Sequence, residues 1–544
     1  MLGLMQDWPL TWDKILDHAA RFCGDQEVVT RSVEGPITRT TYAEVHTRAK
    51  KLTHALKALG IGFGDRVGTL AWNTARHLET WYGILGMGAV YHTLNPRLFP
   101  EQLVYIINHG EDRVIVTDLT FVPLLEKLQD KLPTVEAYII LTDTAHMPET
   151  SLKNAHCYEA LLAEASADVE WGGFEETTAA GLCYTSGTTG DPKGVLYSHR
   201  SNVIHALSMA AGDGLGMRGY DAIMPVVPMF HANAWAIAFI APMLGAKLVM
   251  PGAKMDGASI YELIDTEKVS YSAAVPTVWL MLLQHLEAEN LRVDSLRTVA
   301  IGGAACPPRI IETFEREFGV EVLHLWGMTE MSPIGTLAIM PPKCRDLPLD
   351  DRLLLKRKQG RPPFAVEMRI VDDAGQELPR DGETSGNLEV RGPAVAKGYF
   401  KGAGQEAFNE EGWFHTGDVA TLDQDGFMTI TDRSKDVIKS GGEWISSIEL
   451  ENLAVGHPKA AECAVIGLPH PKWDERPLLV VQLKAGKTAT KQEFYDYLQG
   501  KIAKWWTPDD IVFVDDMPHT ATGKLQKRDL RDRFKDHSWP QTAA

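Results

Sequence analysis

Residues 297–330 read RTVAIGGAACPPRIIETFEREFGVEVLHLWGMTE, and the fold class follows from them. RTVAI is a short, β-branched apolar run of strand type, and GGAAC is a tight turn. Pro307 and Pro308 suit the first turn of a helix, where a missing N–H costs nothing, and the helix runs through PRIIETFEREF to a stop at Gly319. EVLHL, residues 321–325, is the next buried strand. Trp326 to Glu330 therefore emerge at its carboxyl end, where open α/β sheets bind their ligands.

Outward from this unit, apolar β-branched runs alternate with helical periods through most of the chain. That pattern predicts an α/β fold with largely parallel sheets. Single cores stop growing near about 250–300 residues, so a chain of 544 predicts more than one domain. The texture changes at Asp432, where DRSKDVIKSGGEW leads into a helix opened by Ser446 with Glu449 in capping-box spacing. Two strands (AECAVIG and PLLVVQL) follow, then a helix begun by Thr490 with Glu493, a last strand (IVFV) and a loop holding Lys524. The expected organisation is a large N-terminal lobe of layered sheets and helices, 1–431, and a small α+β lobe, 432–544. The most apolar stretch, Ala234 to Met250, is broken by Pro242, Gly245 and Lys247; it reads as a buried core helix, too short for a membrane span of about 20 residues.

Lys and Arg number 54 against 72 Asp and Glu, a formal charge of -18, so neither a nucleic acid nor an anionic membrane has overall electrostatic support as a partner. A phosphate-bearing substrate would have to be drawn in by placed groups. The six cysteines show no CxxC pair and no metal-ligand spacing, which suits reduced thiols and a cytoplasmic location. The first residues, MLGLMQDWPLTWDKIL, lack the charged and apolar regions of a secretory signal.

The strongest chemical signal is Tyr184 to Gly194, YTSGTTGDPKG, after the apolar strand AGLCYT. Thr185, Ser186, Thr188 and Thr189 can donate to phosphate oxygens, Gly187 and its fellow glycines let backbone approach closely, and Lys193 adds charge. A plain hydrophilic turn would explain the glycines and proline but not four hydroxyls beside a lysine. Walker A spacing is absent. The segment resembles the signature loop of the adenylate-forming superfamily, which includes acyl-CoA synthetases, peptide-synthetase adenylation domains and firefly luciferase. Further motifs follow in the family's order over nearly the whole chain.

That resemblance implies ATP, Mg²⁺ and coenzyme A as the small molecules bound. Gly302, Gly303 and Ala304 resemble the adenine-side loop, and Trp326, Gly327, Met328, Thr329 and Glu330 resemble the aromatic-Gly-x-Thr-Glu element, with Trp in place of the usual Tyr. Thr329 is then expected on the α-phosphate, while Glu330, with Thr185, holds Mg²⁺. WFHTGD, 413–418, resembles the ribose motif, so Asp418 is expected on the ribose hydroxyls with Arg433 beside it. Lys435 resembles the hinge residue, Gly441, Gly442 and Trp444 the loop that admits the CoA arm, and Lys524 the catalytic lysine.

The implied chemistry makes AMP the leaving group: an acid and ATP give acyl-AMP and pyrophosphate, and the CoA thiol then takes the acyl group. The acyl pocket is expected beside PMFHANAW, 228–235. His231 and Trp235 would share one face if the segment were helical, and Gly303, Met328 and Pro333 complete the substrate set. With no carboxylate between Ala222 and Lys254 to pair an ammonium, an α-amino acid is disfavoured. Within the superfamily, PMFHANAW, WGMTEMSP and SGGEWISS are similar to bacterial fatty-acyl-CoA ligases and 3-methylmercaptopropionyl-CoA ligases. The expectation is an acid–CoA ligase for a short or medium apolar acid, and a homodimer. Long-chain fatty acids, or a carrier protein loaded in trans, are the alternatives.

Overall fold

In the computed structural model, residues 1, 3–185, 191–304, 306–440, 443–519 and 525–540 are described. They form two compact units: Met1–Glu367 with Arg391–Phe414, and Met368–Val390 with His415–Ala544.

Among its described residues the first unit holds two large sheets. One has eight strands, and its central members, Ala222–Pro225, Tyr271–Ala274, Thr298–Ile301 and Glu321–Gly327, run parallel in that spatial order. The other has seven strands and a parallel middle; its edge is turned by the antiparallel pair Ala179–Tyr184 and Gly194–Ser198. The fully buried rings of Trp12, Trp81, Tyr91 and Phe239 belong to one core cluster. Trp12 lies 3.9 Å from Phe239 and Trp81 lies 4.5 Å from Tyr91, ring centroid to centroid and stacked. Each such side chain removes roughly 150–250 Å² from water, worth about 4–6 kcal/mol before entropy is counted.

The strand–helix–strand unit at 297–330 forms as the sequence predicts. The helix Pro308–Thr313 has proline at its start and continues as a wider turn, Phe314–Phe318, to Gly319 at φ 67°. The following strand extends two residues beyond expectation, to Gly327, because it also pairs antiparallel with Ile334–Leu337. The apolar stretch departs from its reading as one helix. Ala232–Ala236 form a turn of left-handed residues, Ile237–Leu244 the helix, and Lys247–Met250 a strand, because Gly245 at φ 66° ends the helix. No helix among the described residues is long and apolar enough to cross a membrane.

The second unit has a four-stranded sheet, Glu367–Val371, Gly386–Arg391, Phe414–Leu422 and Met428–Arg433, and a five-stranded one built on Ala460–His470 and Asp474–Leu483. Its caps match the sequence reading: Ser446 accepts from Glu449 N, and Thr490 and Glu493 form a reciprocal capping box. The expected joint at 431/432 falls inside this unit. Asp432 accepts hydrogen bonds from Ser447 N at 2.5 Å and Ser447 Oγ at 2.9 Å, tying the last strand of one sheet to the helix Ser447–Val455.

Candidate active site

The signature loop leaves the seven-stranded sheet at a hairpin neck. Thr185 N donates to Lys193 O at 2.9 Å, and Lys193 N donates to Thr185 Oγ1 at 3.3 Å. Ser186, Gly187, Thr188 and Thr189 lie outside the described residues, as do Gly441, Gly442 and Lys524. The Lys193 ammonium stands 3.7 Å from Glu406 and 5.0 Å over the ring of Tyr399.

Tyr399 joins this loop to the acidic element. Its hydroxyl donates to Glu330 Oε1 at 2.7 Å, while Ala396 N donates to Glu330 O at 2.7 Å. Tyr197 OH donates to Thr329 O at 2.7 Å, and Ser332 Oγ donates to Ala394 O at 2.8 Å. Thr329, Glu330 and Ser332 are all buried. Burial, with the Glu330 carboxylate beside it, holds the Tyr399 phenol well above its ordinary value, so it stays a donor. Ile334 N donates to His205 Nε2 at 3.1 Å; burial pushes that ring down to about 4, which keeps it neutral and able to accept.

Steric complements explain the glycines. A Cβ at Gly335 would sit 2.6 Å from the Trp326 ring, and one at Gly327 would sit 2.1 Å from Pro333 O. Met328 N also donates to Pro333 O, at 2.9 Å. Gly302 makes room for Leu325, whose Cδ1 a side chain would approach to 2.3 Å. Gly303 has φ +79°, a conformation that strains other residues, and a Cβ there would meet Val275 and, at 3.8 Å, Trp235 Cζ2. Ala304 is exposed.

Trp235 thus lies near Gly303, by a different route from the helical face first expected. Ala232 to Ala236 all have φ between 43° and 65°. Left-handed backbone costs about 1–2 kcal/mol per residue, so such a run persists only where other contacts hold it. His231, partly exposed, closes its entry: its N donates to Pro228 O at 3.1 Å and its O accepts from Ala234 N at 3.2 Å. Upstream, Asn73 donates to Pro225 O and Val227 O and accepts from Met229 N.

In the second unit, Asp418 and Arg433 face each other across paired strands, with Nη1 to Oδ1 at 2.9 Å. Asp418 is buried and follows Gly417 at φ 73°. Burial is the main cause lowering the Lys435 ammonium below its ordinary value. Lys439 Nζ stands 5.6 Å over the Trp444 ring.

The donor set suits Mg²⁺. Glu330 offers a buried carboxylate and Thr185 a hydroxyl, the oxygen donors such a cation takes. A hard cation held by one carboxylate, and otherwise by substrate phosphates and water, is the usual Mg²⁺ arrangement. Tyr399, Tyr197, Asn233 and Gly335 were not foreseen from the sequence, and no local pattern marks them.

A hydroxyl-rich loop at a sheet edge, tied through one tyrosine to a buried Thr-Glu pair at the end of a parallel strand, defines an enzyme of the adenylate-forming class. The chain belongs to the family of AMP-binding enzymes: the family pattern matches residues 16–400, and the AMP-binding enzyme C-terminal domain matches 449–524. It is 51% identical to a 3-methylmercaptopropionyl-CoA ligase of Ruegeria lacuscaerulensis, over 98% of this chain and 99% of that one. To a medium-chain-fatty-acid–CoA ligase of Ectopseudomonas oleovorans it is 46% identical, over 98% of each. Among solved structures, the anthranilate CoA ligase AuaEII in complex with anthranoyl-AMP superposes with a TM-score of 0.83 at 26% identity, covering 97% of this chain and 99% of that one.

Proposed function

We propose that this chain is an ATP-dependent, AMP-forming acid–CoA ligase for a short or medium apolar acid, with 3-methylmercaptopropionate as the sharpest candidate. One observation carries the choice of acid. Trp235 is packed against Gly303 by a buried turn, in a segment with no carboxylate from Ala222 to Lys254. An uncharged, slender acyl group fits beside an indole there; an ammonium would be buried unpaired. Two of the ligases similar to this chain are named for acids of that kind.

In the first half-reaction a carboxylate oxygen attacks the α-phosphorus and the bond to pyrophosphate breaks. In the second, the CoA sulfur attacks the acyl carbonyl and AMP leaves with the bonding electrons. Mg²⁺, when bound at Glu330 and Thr185, supplies positive charge to the triphosphate. Thr329 and the 185–193 loop orient phosphates, Gly302, Gly303, Ala304 and Trp326 take the adenine, and Asp418 with Arg433 takes the ribose. Met328 and Pro333 complete the acyl side with His231. Lys524 meets the charge that develops as the mixed anhydride forms. Lys435, Gly441, Gly442 and Trp444 serve the thiol-transfer half. The same reading makes the enzyme a cytoplasmic homodimer, which sedimentation at twice the mass of one chain would support.

The deciding test is release of pyrophosphate and AMP with ATP and Mg²⁺, across acids from propionate and 3-methylmercaptopropionate to palmitate, with and without CoA. CoA-dependent turnover favouring the shorter acids is expected. A preference for palmitate would make it a long-chain ligase, adenylate without CoA turnover would point to a carrier protein loaded in trans, and ADP would overturn the reading.

A further inference from the structure

Five consecutive non-glycine residues in left-handed backbone need an anchor, and one side chain supplies it. Asn233 is fully buried at the second position of the turn. Its Oδ1 accepts from Tyr91 OH at 2.6 Å, and its Nδ2 donates to Asn202 Oδ1 at 3.2 Å. Asn is also the residue of the five that best tolerates φ above zero.

Both partners are fixed by the fold. Tyr91 lies in strand Val90–Thr93, stacked between Trp81 and Trp12, with room for its ring made by Gly181, where a Cβ would sit 2.6 Å from the hydroxyl. Asn202 lies in helix His199–Ala210. The ends of the segment are held by backbone contacts and by Asn73, which grips residues 225–229. Besides the two bonds of Asn233, the turn meets one more side chain, the Cys183 thiol, at the Ala232 backbone.

We infer that Asn233 is a specificity-determining positioning residue: clamped by Tyr91 and Asn202, it keeps the turn left-handed and so holds Trp235 against Gly303, limiting the length of acid admitted. This rests on the proposed acyl site at Trp235. Without the clamp, Ala232 to Ala236 relax toward right-handed backbone, the indole leaves Gly303, and the space it filled opens to longer chains.

The test compares kcat/KM for acids of increasing length in wild type, Asn233→Ala, Asn233→Gly, Tyr91→Phe and Trp235→Ala, alongside hydrogen exchange of the 228–240 amides. Asn233→Ala should raise the long-to-short ratio of kcat/KM at least tenfold and speed exchange in 228–240, with the KM for ATP within twofold of wild type. Tyr91→Phe, which removes one bond from outside the turn, should move both readouts the same way. Asn233→Gly keeps left-handed freedom but loses both hydrogen bonds, so it should follow Asn233→Ala if the clamp matters. A folded Asn233→Ala and Tyr91→Phe with the wild-type acid profile and exchange would overturn the inference. If Trp235→Ala then shifts the profile, the acyl site stands and only the clamp fails; if it too is silent, the acyl site at Trp235 fails with it. Should Asn233→Ala not fold, Tyr91→Phe decides alone.

Discussion

Replacing Tyr399 by Phe removes one oxygen and leaves the ring, its place under the Lys193 ammonium and its edge contact with Phe408 at 5.4 Å. What is lost is the 2.7 Å hydrogen bond to Glu330 Oε1. Two effects then oppose each other at the carboxylate. Without the donor its oxygen carries more charge toward a cation, but the side chain also loses a bond that fixes its rotamer. A hydrogen bond to a charged group contributes about 1.5–3 kcal/mol, and freeing a glutamate restores up to about 1.5–2 kcal/mol of rotamer entropy that binding must then remove. Orientation should win, and MgATP affinity should fall roughly 10- to 100-fold, the range seen when partners of metal ligands are removed. Calorimetric titration with MgATP measures the affinity directly, and pyrophosphate release against Mg²⁺ concentration gives the half-saturation point. Because the phenol is held above its ordinary value, the ratio of variant to wild type should be flat from pH 6.5 to 9. An unchanged affinity and half-saturation point, within twofold, would refute the assignment of Tyr399 as the group that aims Glu330.

Gly335→Ala would place a Cβ 2.6–2.9 Å from the Trp326 ring and the Met331 methyl, against about 3.5 Å for ordinary carbon contacts. The indole must move by about 1 Å, and the KM for ATP should rise on the order of 10-fold or more, measured at saturating acid. Asp118 is buried, accepts from Trp72 N at 2.6 Å and is pushed up to about 7 by burial. Between the unfolded value near 3.9 and 7 the folded state binds the extra proton, so this group lowers stability by about 1.4 kcal/mol per pH unit as pH rises, with the full cost present above 7. Asp118→Asn should remove that term: its melting temperature relative to wild type should climb from pH 5 to pH 8, and a constant difference would contradict the burial argument. Lys524→Ala should cut acyl-adenylate formation at least 100-fold while MgATP binding changes only several-fold, read by pyrophosphate exchange and calorimetry; full exchange activity in the folded variant would remove the lysine from the chemistry.

What could be read from the sequence was whatever is encoded locally. Residues 297–327 carry their own punctuation, with proline opening the helix, glycine closing it and apolar runs on either side, so strand, helix and strand were recoverable. The family was legible in the 184–194 loop because four hydroxyls and a lysine beside glycines make a specific pattern. By contrast, alanine-rich 232–236 has helical propensity, and its left-handed form rests on Tyr91, 142 residues away in sequence. Tyr399 meets Glu330 across 69 residues, in a KGYF segment with no chemical signature. The expected joint at 431/432 followed a change of texture, whereas compactness follows strand pairing: Met368–Val390 contributes to the sheet that ends at Arg433.

Several left-handed residues share a location. The left-handed residues Ala232 to Ala236, Gly303 and Ser332 at φ 73° follow the carboxyl ends of strands Ala222–Pro225, Thr298–Ile301 and Glu321–Gly327, all of one sheet. Each strand has a parallel neighbour, and Ala232 to Ala236 and Ser332 adopt backbone that local propensity would not choose, while Gly303 supplies its own left-handed freedom. Hydrogen bonds to distant residues hold two of them: Asn233 reaches Tyr91 and Asn202, and the Ser332 hydroxyl donates to Ala394 O while Tyr399 grips nearby Glu330. Strain gathered at the carboxyl ends of strands, and held by distant hydrogen bonds, is what a preformed site of the proposed kind would cost. It follows that conservative changes at the clamps, such as Tyr91→Phe or Tyr399→Phe, should disturb function more than their loss of one oxygen disturbs the fold.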